Sequence, residues 1–184
     1  MIHAFLHSQR DQNFSYPEVG ASRHNPPAGY TVDHHRVRLG LGAEDFTRAE
    51  ESLRRWSMFE LGWLRLFWPD TPIRADSTVA VLAHTFGLWS LNACRIVYVL
   101  EEDAPIRRYG FGYETLPEHE ERGEERFSVE WHAGDGSVWY DILAFSRPRQ
   151  WLARAGYPLT RRLQRRFARD SMGAMVAAVG RPGA

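Results

Sequence analysis

The segment around His119, Glu124 and Glu125 holds the residues best suited to moving a proton. A histidine five positions from a carboxylate, in a turn between two strands, can act as a general base or a metal ligand, and can equally close a hairpin by hydrogen bonding. Glu125 is more tightly constrained. In Arg126-Phe127-Ser128-Val129-Glu130-Trp131 polar and apolar residues alternate, so Glu125 shares the face of Phe127 and Trp131 and points to the apolar side. A carboxylate there needs a partner, because desolvation alone is costly. The expected partner is Arg147 or Arg95, from neighbouring strands. Such a pair either orients the polar head of a ligand or staples the sheet.

Other chemistries find little support. There is no Gly-x-Ser-x-Gly elbow, no His-Glu-x-x-His, no Gly-x-Gly-x-x-Gly before a helix and no second cysteine. His34 and His35 are adjacent on a strand, so their rings point to opposite faces and do not share a metal. Cys94 lies among Leu91, Ile96 and Val97 and reads as an inert buried thiol. No metal site and no cofactor is expected, and a binding protein is favoured over an enzyme.

The 184 residues include 23 basic and 23 acidic side chains, and every basic one is arginine. Without lysine, Schiff-base chemistry, a pyridoxal-phosphate anchor and a P-loop are excluded. Zero net charge argues against nucleic acid or a membrane surface as partner. Neutrality here is cancellation between segments. Residues 101–130 carry ten acids and four arginines, whereas Arg147 to Arg169 contains eight arginines and no acid. An arginine-rich helix offers an interaction module for phosphate or anionic lipid as an alternative role, though a solvated face is the commoner outcome. A single cysteine, no signal peptide and no stretch of eighteen apolar residues point to the cytoplasm. Oligomeric state is left open.

The elements that must position these groups can be read in order. Residues 1–30 are turn-rich and form an irregular arm, expected to pack through Phe5, Phe14 and Tyr16. A strand over Thr31–Leu39 ends in the Gly40-Leu41-Gly42 turn. A helix follows, with Phe46, Ala49, Leu53 and Trp56 on one face. Extended segments are expected at 60–68, 76–86, 89–101, 108–116, 124–132 and 137–146, the last two joined through Asp135-Gly136 as a hairpin. A helical region should open at Pro148 and run to about Ala178, broken at Gly156-Tyr157-Pro158, with Leu159, Leu163, Phe167 and Met175 as its apolar stripe. One domain over 31–179 and a frayed tail at 180–184 result. Short connections favour antiparallel neighbours, giving an α+β helix-grip fold: a curved antiparallel sheet wrapped around a long C-terminal helix, with a cavity between them. Phe111, Tyr113, Trp131, Tyr140 and Arg147 are the expected ligand-binding residues, and Gly110 and Gly112 leave one strand face bare for close approach.

From Tyr109 the chain reads Tyr-Gly-Phe-Gly-Tyr-Glu-Thr-Leu-Pro-Glu-His-Glu-Glu-Arg-Gly-Glu-Glu-Arg-Phe. With Tyr16-Pro17-Glu18-Val19-Gly20, Ser137–Ile142, Ala144–Pro148 and Gln164–Ser171, this resembles the uncharacterised protein family 0548 over roughly residues 14–178, in matching order. The family's usual pattern has glycine where this chain has Glu114 and Glu118, so extra negative charge stands beside His119 here. The resemblance implies no particular reaction. Element order is similar to the Bet v 1 and START-like superfamily, which implies a small, largely apolar ligand held between sheet and helix. The alternative is an enzyme acting on such a molecule with His119 and Glu124 or Glu125 as acid and base.

Overall fold

A computed structural model describes the backbone of residues 16–68, 70–115, 121–148 and 153–180, together with residues 8 and 14. His119 and Phe5 lie outside the described residues. Among those described, seven strands form one sheet in the order β1-β7-β6-β5-β4-β3-β2, antiparallel at every pairing. The strands are β1 (Thr31–Leu41), β2 (Leu64–Phe67), β3 (Thr78–Thr85), β4 (Leu88–Glu102), β5 (Arg107–Thr115), β6 (Glu121–Trp131) and β7 (Ser137–Pro148). Helix α1 (Gly42–Arg54) follows β1, and helix α2 (Ala153–Val179) follows β7. Register shifts at Arg38/Gly40 and at Ile96/Tyr98 mark bulges, the device that bends a sheet around a helix.

The sheet turns one face to the helices. Alternation sends Phe111 and Tyr113 of β5, Phe127 and Val129 of β6 and Val138, Tyr140 and Ile142 of β7 inward, where they meet Phe46, Ala49 and Leu53 of α1 and Ala168, Met175 and Val179 of α2. This is the helix-grip arrangement.

Three expectations need correction. The second strand is shorter than 60–68, because a 3-10 turn occupies Ser57–Phe59 and the chain pairs with β3 only from Leu64. Pro148 ends β7 instead of opening the helix. Helix α2 runs unbroken through Gly156-Tyr157-Pro158, since a proline near the helix start forfeits a single amide bond there and the following turns propagate normally. Of the expected stripe, Met175 is fully buried and Phe167 packs on the core, but Leu159 is exposed, one turn short of where α2 meets the sheet.

Candidate functional site: the space between sheet and C-terminal helix

Tyr113 of β5 and Glu125 of β6 are direct cross-strand partners, with Phe111 and Phe127 forming the next inward pair along the same ladder. The Tyr113 hydroxyl donates to Glu125 Oε2 at 3.0 Å. Tyr113 stacks on Phe127 with centroids 5.3 Å apart. Phe59, brought in by the turn after α1, lies 6.1 Å from Tyr113, 5.8 Å from Phe127 and 5.4 Å from Phe167 of α2. A carboxyl and a phenol thus stand beside three further aromatic rings, Phe59, Phe127 and Phe167.

The far end of the interface is closed. Phe111, Phe127, Val138 and Tyr140 have no exposed surface, and the Tyr140 and Ser171 hydroxyls share a hydrogen bond of 2.9 Å. Nearer the start of α2 the inward groups are only half-buried, among them Asp33 and His35 of β1, Tyr113, Glu125, Ala144, Gln164 and Phe167. Polar contacts ring this end. Arg161 of α2 pairs with both carboxylate oxygens of Asp33, and Gln164 Nε2 donates to Ser146 Oγ at 3.2 Å.

Burial, with the Asp33 charge adding to it, pushes the Glu125 carboxyl up to about 7, although the Tyr113 hydroxyl bond opposes the rise. Burial first, and then the neighbouring Glu125 charge, lifts the Tyr113 hydroxyl well above the usual phenol range. The Arg161 fork holds Asp33 below the usual carboxylate range. Glu125 is therefore positioned to exchange a proton near neutral pH, while Asp33 stays charged.

Glu124, next in the chain, faces the other way. Its carboxylate accepts from the Tyr16 hydroxyl at 2.6 Å, from the amides of Gly20 at 2.7 Å and Ser22 at 2.9 Å, and from Ser22 Oγ. The segment before β1 is laid across the outer face of the sheet by these bonds. Of the two glutamates offered as partner to His119, strand alternation thus turns Glu124 to the outer face and Glu125 to the face of α2. The expected arginine partners of Glu125 also lie on the outer face. Arg95 stands opposite Glu114 in the β4–β5 register and over the Phe14 ring. Arg147 packs on Tyr30, 4.5 Å from its centroid. Arg147 is thus withdrawn from the candidate lining, and Tyr113 takes the partner's place. Phe111 and Tyr140 are sealed core walls, and Trp131 packs on Phe46 away from Glu125.

The bare face at Gly110 and Gly112 is also occupied. A Cβ at Gly112 would lie 2.5 Å from the Tyr98 ring, whose hydroxyl meets Ser22 Oγ at 2.6 Å. Across the outer face, Arg126 and His34 both reach Asp141, at 2.9 and 2.6 Å, while Arg36 and Arg108 grip Glu130 at 2.6 and 2.8 Å. These acids of the sheet thus pair with arginines of the sheet. On α2, Arg166 and Arg169 turn to Asp170. Cys94 is buried and its thiol is pushed upward by desolvation, as expected of an inert cysteine.

Residues 15–174 match the family described as a domain of unknown function, DUF1990. The chain belongs to that family. It is 40% identical over 190 residues to a UPF0548 protein of Deinococcus radiodurans, covering 97% of this chain and 94% of the relative. It is 35% identical over 198 residues to a UPF0548 protein of Dictyostelium discoideum, covering 97% and 91%. Among solved structures, norcoclaurine synthase of Thalictrum flavum in complex with a transition state analogue superposes with a TM-score of 0.51 at 12% identity, over 84% of this chain and 97% of that one. At that identity the likeness is one of fold, and it is the helix-grip fold. Among the described residues no helix is long and apolar enough to cross a membrane, and no group of three or more histidine, cysteine or acidic side chains could hold a metal ion.

Asp33, Arg161, Gln164 and Ser171 were not among the site residues expected from the sequence. Arg161 and Gln164 fall in the arginine-rich stretch, where the charge pattern reads as a solvated face. Their inward reach depends on the angle at which α2 crosses β1, which no local pattern encodes.

Proposed function

We propose that the protein binds a small, largely apolar molecule between the sheet and α2, the aromatic rings holding its body and Glu125 with Tyr113 fixing its polar end. The observation that carries this is the Tyr113–Glu125 pair: a hydrogen-bonded polar group facing α2, half-buried, beside Phe59 and Phe167 and above the sealed Phe127 ring. Ligand sites combine such apolar walls with a few placed polar groups. The solved norcoclaurine synthase, with its bound transition state analogue, supports the reading that this fold can hold an organic molecule. Mass spectrometry of small molecules retained by the purified protein is the test. A stoichiometric organic species lost on Phe167→Ala substitution is expected, and purified protein that carries none and takes up no apolar dye would overturn it.

A second role is favoured by one feature. A carboxyl that ionises near neutral pH is what a general acid or base requires, so Glu125 suits catalysis on the bound molecule, with Tyr113 as its positioning partner. A lone, buried cysteine suits a reducing compartment, and we place the protein in the cytoplasm.

A further inference from the structure

Resting on the binding role proposed above, we infer that the molecule taken up is an amine, its ammonium group set against Glu125 and its apolar body against Phe59, Tyr113 and Phe167.

Three features of the site select a cation. First, Glu125 Oε2 is occupied by the Tyr113 hydroxyl, while Oε1 accepts no hydrogen bond among the described residues and the side chain keeps accessible surface. An ionised carboxylate can only accept, so its natural complement is a strong donor. Second, the charge that bears on it is negative. Asp33 is the ionised neighbour that acts on Glu125, and Arg161, the cation closest to Asp33, is engaged by both of its oxygens. An anionic ligand would meet two carboxylates. Third, the surrounding rings offer π faces, which attract an ammonium that has left water and hold an aliphatic or aromatic body equally well. A neutral alcohol could donate an O–H bond to the carboxylate but would bring no opposite charge to it.

The groups on the face of Glu125 are Tyr113 from β5, Asp33 and His35 from β1 with Arg161 from α2, Cys94 from β4 and Tyr140 from β7. Of these, the two phenols and the thiol are held neutral by burial and Asp33 is held ionised, which leaves Glu125 as the carboxyl that changes charge around neutrality. An ammonium ligand stays protonated over the same interval, since alkylamines lose their proton only near pH 10. Affinity for the amine should then rise with pH as Glu125 ionises.

Three isosteric probes decide the matter: phenethylamine, 2-phenylethanol and 3-phenylpropionate, titrated into the protein by calorimetry at pH 6 and pH 8. At pH 8 phenethylamine should bind about ten-fold or more tightly than the alcohol, the scale of one charge-assisted bond, and the propionate least. Its affinity should fall at pH 6. Glu125→Gln keeps the size of the side chain and an oxygen for Tyr113, and it should bring amine and alcohol to equal affinity with an unchanged circular dichroism spectrum. Equal or tighter binding of the alcohol or the propionate by the native protein would overturn the inference, as would an amine preference that survives Glu125→Gln. Retention of a neutral or acidic molecule by the purified protein, with no amine binding, would overturn the inference and leave the binding role standing. Absence of any bound or retained molecule would remove both.

Discussion

Glu114 and Glu124 face each other across the β5–β6 ladder, both buried, and Tyr16, Gly20 and Ser22 all donate to Glu124. Among the described residues neither oxygen of Glu114 has a hydrogen bond of ordinary length and angle. Desolvation, opposed by Tyr16 and Arg95 and reinforced by the Glu124 charge, pushes the Glu114 carboxyl up to about 8. Glu114 therefore keeps its proton at neutral pH, with Tyr16 beside both carboxyls.

Folding stability should fall as pH rises through this interval. Because the folded-state value of Glu114 lies above the unfolded value near 4.5, its contribution is fully present below about 4.5 and is lost as pH rises toward about 8. The local slope is about 1.4 kcal/mol per pH unit for a single such group. Glu125 acts in the same direction up to about 7. Urea denaturation of Glu114→Gln at pH 5, 7 and 8 should show a flatter profile than the native protein, with most of the difference accumulating between pH 5 and 7. An unchanged profile would show that Glu114 does not carry this proton.

Tyr16→Phe should destabilise the fold by about 1–3 kcal/mol, since Glu124 keeps its charge and its buried site while losing the 2.6 Å bond from the Tyr16 hydroxyl. The loss should read out as a lower denaturant midpoint. It should also speed tryptic cleavage after Arg23, which lies in the 3-10 turn that follows.

Gly112→Ala should cost about 1–3 kcal/mol, the range for overpacking a filled site. The new Cβ would sit 2.5 Å from the Tyr98 ring, which cannot swing away without breaking its bond to Ser22. Thermal unfolding of Gly112→Ala alone and combined with Tyr98→Ala would reveal the clash: the second change should recover part of the loss caused by the first.

Tyr113→Phe should move the Glu125 carboxyl further upward, because the Tyr113 hydroxyl bond is the influence that lowers it. Difference infrared spectra of the protonated carboxyl band across pH 5 to 9 would measure the shift. Movement downward would show that the phenol does not donate to the ionised form.

The meander from β5 to β7 was legible in the sequence because one wet face imposes strict alternation, and that alternation correctly turned Glu125 inward and His34 and His35 apart. The identity of Glu125's partner was not legible. An arginine satisfies a buried carboxylate on general grounds, but the choice of Tyr113 depends on how β5 and β6 are registered. Glu124 was legible as a charged residue and not as an anchor, since its donors stand 102 to 108 positions earlier in the chain. The unbroken α2 shows the same limit from the other side: a local breaker signal at Gly156-Tyr157-Pro158 was outweighed by packing along the rest of the helix.

Among the described residues β1 pairs with β7 alone, so the earliest of the seven strands in the chain waits for the latest. At the synthesis rate of about 5–20 residues per second, the hundred or so intervening residues take roughly 5–20 s. Throughout that interval β1 lacks its ladder partner. Completion of the sheet thus waits on the synthesis of β7, and until then the edge of β1 is open to chaperones and proteases.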